Sequence, residues 1–210
     1  MGGAPMLSSA HRAEENGTPT RGPYEIVAIA ASAGGVQALS QVLCQLPSDF
    51  AVPIVVVQHL APHHRSLLPE ILARTCAISV EQAEEGDLLR PRTAYIAPPD
   101  QHLLVNGDGT LSLSHSELVH FVRPSADLLF ESVAGSYRER AIAVVLTGTG
   151  KDAVMGVRAV AKVGGRVIVQ DPATAAFAGM PSAAVATGAV DEVLALEQIA
   201  ARLIDLVRGR

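Results

Sequence analysis

The sequence predicts an α/β fold: a largely parallel, doubly wound sheet with helices on both faces and a small antiparallel hairpin insertion. Short apolar runs alternate with amphipathic stretches along most of the chain, the pattern of βαβ units. Several of those runs are apolar throughout, as strands covered on both faces require. One stretch, near residues 93–114, breaks the alternation with short strands and an Asn-Gly-Asp-Gly turn, and this is the insertion.

Residues 1–23 are rich in Gly, Pro, Ser, Thr and Glu without apolar period and read as a disordered leader or linker remnant. The folded domain is expected over 24–210. Ile26–Ala31 is a continuous apolar run, too short and too β-branched at its start for a helix. Gly34-Gly35 ends it, and Val36, Leu39, Val42 and Leu43 then recur at helical spacing. Residues 53–57 (PIVVV) form a strand with proline at its first position, where a missing donor is tolerated. Residues 66–74 read as a short helix. Residues 93–97, His102–Val105 and Leu111–Ser114 are short strands. The last two are joined by Asn106-Gly107-Asp108-Gly109, whose Asn-Gly and Asp-Gly steps tolerate positive φ. Pro124 opens a helix to about Tyr137 with Leu128, Leu129 and Val133 inward. Residues 141–146 (AIAVVL) are a buried strand, followed by the loop TGTGKD, a helix to Lys162, Gly164-Gly165 and a strand over 166–169. Residues 190–194 supply the last strand and Leu196–Val207 the closing helix.

Composition bounds the function. With 49% hydrophobic and 18% charged residues, the chain can bury a substantial core, and global disorder is excluded. The net charge of −5 is dispersed with no basic block, so nucleic acid is not an expected partner. No apolar run approaches the roughly 20 residues that span a bilayer, and the N-terminus lacks a signal-peptide layout. Cys44 and Cys76 are too few for a disulfide scaffold or a four-thiolate zinc site. Their helix-like apolar contexts read as separate buried thiols, suited to a reducing cytoplasm.

In open α/β sheets, ligands bind beyond the carboxyl ends of the strands. Three strand ends carry reactive groups: Ser32 in ASAGG, His59 in QH, and Asp152 closing TGTGKD. Hydroxyl, imidazole and carboxylate are the set of a Ser-His-Asp triad. Ser32 sits on a strand–turn–helix step, where a hydroxyl is exposed and the following helix offers unpaired N–H groups to an oxyanion; the same residue can instead cap that helix. His59 is held between an all-apolar strand and Pro62 as a base, or is simply a hydrogen-bonded strand-end histidine. Asp152 either orients the imidazole or caps the helix after it. Gly148 and Gly150 favour a loop whose amides face an anion, although neither glycine-rich loop forms a dinucleotide or Walker string. His63 and His64 follow His59, but Pro62 breaks helical spacing and no carboxylate or thiolate follows at ligand distance, so no metal is expected. Arg123 either meets an acidic substrate face or pairs with a carboxylate. Gly179-Met180-Pro181 borders the cleft or turns into a helix that Pro181 begins.

The strings IAASAGGVQAL, VPIVVVQHLAP, AYIAPPDQHLLV, RPSADLLFESVA, VVLTGTGKDAVMGVRAV, GGRVIVQDPATAAFAGMP and GAVDEVLALEQIA, in this order, resemble the catalytic domain of the chemotaxis protein-glutamate methylesterase (CheB) family. The resemblance covers residues 25 to about 208. It implies a serine hydrolase without cofactor, with Ser32 as nucleophile, His59 as base and Asp152 as carboxylate. It implies hydrolysis of glutamyl γ-methyl esters on the cytoplasmic helices of methylated chemoreceptors, and in some members deamidation of receptor glutamines. Ala33, Gly34 and Thr149 are the oxyanion candidates, with Arg123 and Met180 near substrate. Thr149 stands where the family usually has methionine, which leaves a main-chain donor untouched. Family members commonly carry an N-terminal phospho-receiver, for which the residues before Tyr24 leave no room, so the sequence reads either as a piece of such a protein or as a free-standing esterase domain, with a separate response regulator as a candidate partner. The alternative is a non-catalytic sensor or scaffold module of the same fold.

Overall fold

The apolar runs become the centre of one parallel sheet. The computed structural model describes residues 23–59 and 66–210. Its elements are β1 (Ile26–Ala31), α1 (Gly35–Leu43), β2 (Ile54–Gln58), α2 (Leu68–Ala73), β3 (Ser79–Gln82), β4 (Thr93–Ile96), β5 (His102–Val105), β6 (Leu111–Ser114), α3 (Ala126–Tyr137), β7 (Ala141–Val145), α4 (Val154–Lys162), β8 (Arg166–Gln170), α5 (Gly179–Val185), β9 (Glu192–Leu194) and α6 (Leu196–Val207). Seven strands form the sheet in the order β3-β4-β2-β1-β7-β8-β9, while β5 and β6 make the separate antiparallel hairpin. Every pairing in the seven-stranded sheet is parallel.

Strand alternation divides the core into two layers. Val27, Ile29, Ile54 and Val56 face α1 and α6, through Leu39, Val42, Ile199 and Leu203. Ile26, Ala28, Val55 and Val57 face α3 and α4, through Leu129, Phe130, Val133, Val157 and Val160. Gly156 lets α3 and α4 close on each other, since a methyl there would stand 2.5 Å from Phe130 Cβ. Phe130 is fully buried at this contact. Phe130→Ala is expected to cost about 3–5 kcal/mol, the range for emptying such a core site, read as a lowered urea midpoint.

Some elements differ from the sequence reading. β3 was not expected: in SVEQ only Val80 is buried, so this edge strand lacks an apolar signature. Ser125, not Pro124, caps α3, and Phe130 rather than the half-buried Leu128 completes its inner face. α5 starts at Gly179, so Pro181 lies within its first turn, where its missing N–H is harmless. Cys44 and Cys76 are not separate thiols. The end of α1 packs beside the chain leaving α2, and the two form a disulfide with Cα atoms 4.0 Å apart. The leader and the metal question at His63 and His64 lie outside the described residues. Among the described residues, no three His, Cys, Asp or Glu side chains gather as metal ligands, and no helix is long and apolar enough to cross a membrane.

Candidate active site

β2, β1 and β7 are neighbours in a parallel sheet, so their carboxyl ends open on the same edge. Ser32 follows β1, His59 follows β2, and the loop ending in Asp152 follows β7. Main-chain bonds stitch these exits together. His59 N donates to Ala31 O at 3.0 Å, and Ser32 N donates to Thr147 O at 3.0 Å. The turn after Ser32 requires glycine: Gly34 has φ 74° and caps α1, while Gly35 N donates to Ser32 O at 2.8 Å. Ser32, Ala33, Gly34 and His59 line one cleft of about 820 Å³, walled by Val36, Gln37, Ser40 and Gln41 of α1 and Ile71 of α2.

Asp152 is joined to this cleft through His59. Its Oδ2 lies 2.8 Å from His59 Nε2, with the carboxylate 4% and the imidazole 11% exposed. Asp152 is not the cap of the helix that follows it; that position is Ala153, at φ 93° and without a side-chain cap bond. It serves the start of α3 instead. Ala126 N donates to Oδ2 at 2.5 Å, Asp127 N to Oδ1 at 3.1 Å, and Ser125 Oγ to Oδ1 at 2.9 Å. The positive end of α3 thus faces the carboxylate. Burial opposes its charge, but the hydrogen bonds from His59 and the Ala126 amide outweigh burial and hold the carboxyl below its ordinary value. An ionised carboxylate only accepts, so His59 carries its proton on Nε2 and leaves the Nδ1 lone pair as the basic site.

Behind Asp152 the support is polar and buried. Ser125 N donates to Nδ1 of the buried His102, whose Nε2 donates to Glu117 O at 3.0 Å. Burial pushes the His102 pKa down, which keeps Nδ1 free to accept. Asp127 accepts from Gly156 N at 2.8 Å and pairs with His120 at 3.1 Å; burial holds its carboxyl above the ordinary range.

On the other side of Ser32, Gly148 N donates to Phe177 O and Gly148 O accepts from Met180 N. A methyl at Gly148 would collide with Met180 Sδ and stand 2.8 Å from Ser32 Cβ. Gly148→Ala is accordingly expected to cost about 1–3 kcal/mol by overpacking, read in urea denaturation. Met180 is 1% exposed and packs beneath this loop rather than lining the cleft. Thr149 is exposed on the loop. The amides of Ala33, Gly34 and Thr149 donate to no acceptor among the described residues; Ala33 and Gly34 line the cleft, and Thr149 does not. Arg123 is occupied elsewhere. Its Nε and Nη2 donate to Asp100 at 3.0 and 2.7 Å, and its Nη1 to the carbonyls of His115 and Ser116. It is not among the residues lining the cleft.

The structure adds residues that the sequence reading did not single out. Thr147 Oγ1 donates to Ala33 O and accepts from Phe177 N, while Gln170 Oε1 accepts from Thr147 N. Ser125 and His102 hold the start of α3. One signal was available: IVVVQ and RVIVQ both end an apolar strand with a glutamine, and both glutamines are buried at the sheet edge.

Comparison with known proteins places these features in context. The family model described as CheB methylesterase matches residues 27–203. A Leptospira interrogans protein, provisionally named as a protein-glutamate methylesterase/protein-glutamine glutaminase, is 42% identical over 183 residues, covering 87% of this chain and 95% of its own length. The protein-glutamate methylesterase FrzG of Myxococcus xanthus is 42% identical over 185 residues, which span 88% of this chain but 55% of FrzG. The crystal structure of the Thermotoga maritima CheB methylesterase catalytic domain superposes with a TM-score of 0.84 at 38% identity, covering 88% of this chain and 99% of that one.

Proposed function

Because the chain belongs to the CheB methylesterase family, we propose that it hydrolyses glutamyl γ-methyl esters on the cytoplasmic helices of chemoreceptors, with Ser32, His59 and Asp152 as its catalytic residues. The observation that carries this reading is the 2.8 Å bond from His59 Nε2 to a buried, ionised Asp152, at the sheet edge from which Ser32 also emerges. Ser32 Oγ attacks the ester carbonyl as His59 Nδ1 takes its proton. The oxyanion forms against the amides of Ala33, Gly34 and Thr149. The imidazolium, stabilised by Asp152, then protonates the departing methoxide and methanol leaves. Water, deprotonated by the same nitrogen, attacks the acyl-enzyme and restores Ser32 with a free glutamate. An amide substrate follows the same route with ammonia leaving, so receptor glutamine deamidation is the companion activity.

The same proposal has residues 24–210 as the esterase domain, the cytoplasm as its location and a response regulator as a partner. The test is incubation of the purified chain with methyl-labelled receptor. Release of labelled methanol supports the reading; receptor binding without release would mark the chain as a sensor or scaffold module.

A further inference from the structure

Gln58 ends β2 and is 3% exposed. Its Nε2 donates to Ser32 O at 2.8 Å and to His59 O at 2.9 Å. Its Oε1 is buried with no partner, against Gly35, where even a methyl would collide with it. Turning the amide over would set Oε1 against two carbonyl oxygens, so the two acceptors fix its orientation and leave Oε1 unpaired. Gln170, at the corresponding end of β8, differs. There Oε1 accepts from Thr147 N at 2.8 Å and Nε2 donates to Thr174 O at 3.2 Å, so both ends of the amide are used. An unpaired buried acceptor is a standing cost to the fold. Gln58 carries that cost where its single nitrogen holds the main chain of both Ser32 and His59.

We propose that Gln58 is a positioning residue for the reaction, its carboxamide fixing the distance and aim of Ser32 and His59 relative to each other by bonding both carbonyls. The proposal rests on the reading of those two residues as nucleophile and base. It assigns Gln58 a role in the rate of the chemical step, acting through the main chain of both residues.

Gln58→Met keeps length and volume, removes both donors and removes the unpaired oxygen. Methanol release from methyl-labelled receptor is expected to show kcat lowered on the order of 10²-fold, the size of effect that a small misplacement produces, with KM and the urea midpoint close to wild type. Gln58→Glu adds a readout that a purely structural role would not move. The carboxylate cannot donate, while the acid form, favoured by burial, donates one hydrogen bond. The ratio of Gln58→Glu to wild-type kcat is therefore expected to rise as pH falls. A Gln58→Met kcat within about threefold of wild type overturns the proposal. Should that variant not fold, a pH-independent ratio for Gln58→Glu overturns it. Ser32→Ala in parallel separates the two readings: continued methanol release sinks the nucleophile assignment itself, whereas an inactive Ser32→Ala beside a fully active Gln58→Met sinks only the role of Gln58.

Discussion

Ser32→Ala is expected to fold as wild type does and to lose methanol release by on the order of 10⁵–10⁶-fold, the scale seen when a triad nucleophile is removed. The fold should survive because the described ties at this position are main-chain ones. Ser32 N donates to Thr147 O, and Ser32 O accepts from Gly35 N and Gln58 Nε2. None of them needs the hydroxyl. Removing Oγ leaves the cleft, the imidazole and the free amides in place, so the loss should fall on kcat rather than on receptor binding. Paired measurements of released methanol and urea midpoint check it. Release near the wild-type rate would show that another group attacks the ester.

Asp152→Asn should lower kcat by about 10⁴-fold, through the wrong histidine tautomer. In the wild type, Oδ2 accepts from both His59 Nε2 and Ala126 N, and Oδ1 accepts from Ser125 Oγ and Asp127 N. An asparagine NH₂ has no good place among these donors. In the Oδ2 position it opposes the Ala126 amide and requires His59 to accept on Nε2, which moves the proton to Nδ1 and removes the base. In the Oδ1 position it opposes the Asp127 amide. Either choice leaves a buried donor unmatched, at about 1–3 kcal/mol. The pH dependence follows from the direction of the shift. The wild-type carboxyl is held below 3.8, so its contribution to stability is present above that value and is lost as pH falls through the lower folded value. The stability gap between wild type and Asp152→Asn should therefore narrow in acid, and urea midpoints taken at several pH values measure it. Turnover near wild type would reduce Asp152 to a support for the start of α3.

The centre of the sheet was legible because β1, β2, β7 and β8 are apolar on both faces and too short and too rich in β-branched residues for buried helices. Their polar exits, at Ser32, at His59 and in the loop that ends in Asp152, were legible for the same reason: the apolar run stops where the strand leaves the core. β3 was not, because an edge strand with one buried side chain has no period to detect. The role of Asp152 at the start of α3 was hidden because its partners, Ser125 to Asp127, lie some 25 residues away in sequence. Local reading could offer only the helix next to it. The pairing of Cys44 with Cys76 depends on the packing of α1 against α2, which neither local context encodes. Gly179-Met180-Pro181 reads in sequence as a cleft border or as a turn into a helix that Pro181 begins; α5 begins two residues before that proline, at Gly179, and turns the Met180 side chain under Gly148. For Arg123 the sequence offers a substrate contact or a carboxylate partner; the structure shows the second, and the partner, Asp100, lies on a different loop that its neighbours in sequence do not point to.

The most direct test of the triad is covalent capture of its nucleophile. The protein is treated with a fluorophosphonate, digested, and the adduct located by mass spectrometry, in wild type and in His59→Ala. The account predicts one adduct, on Ser32, formed much more slowly without the imidazole. An adduct on a different residue, or methanol release that persists undiminished once Ser32 is fully modified, would contradict it.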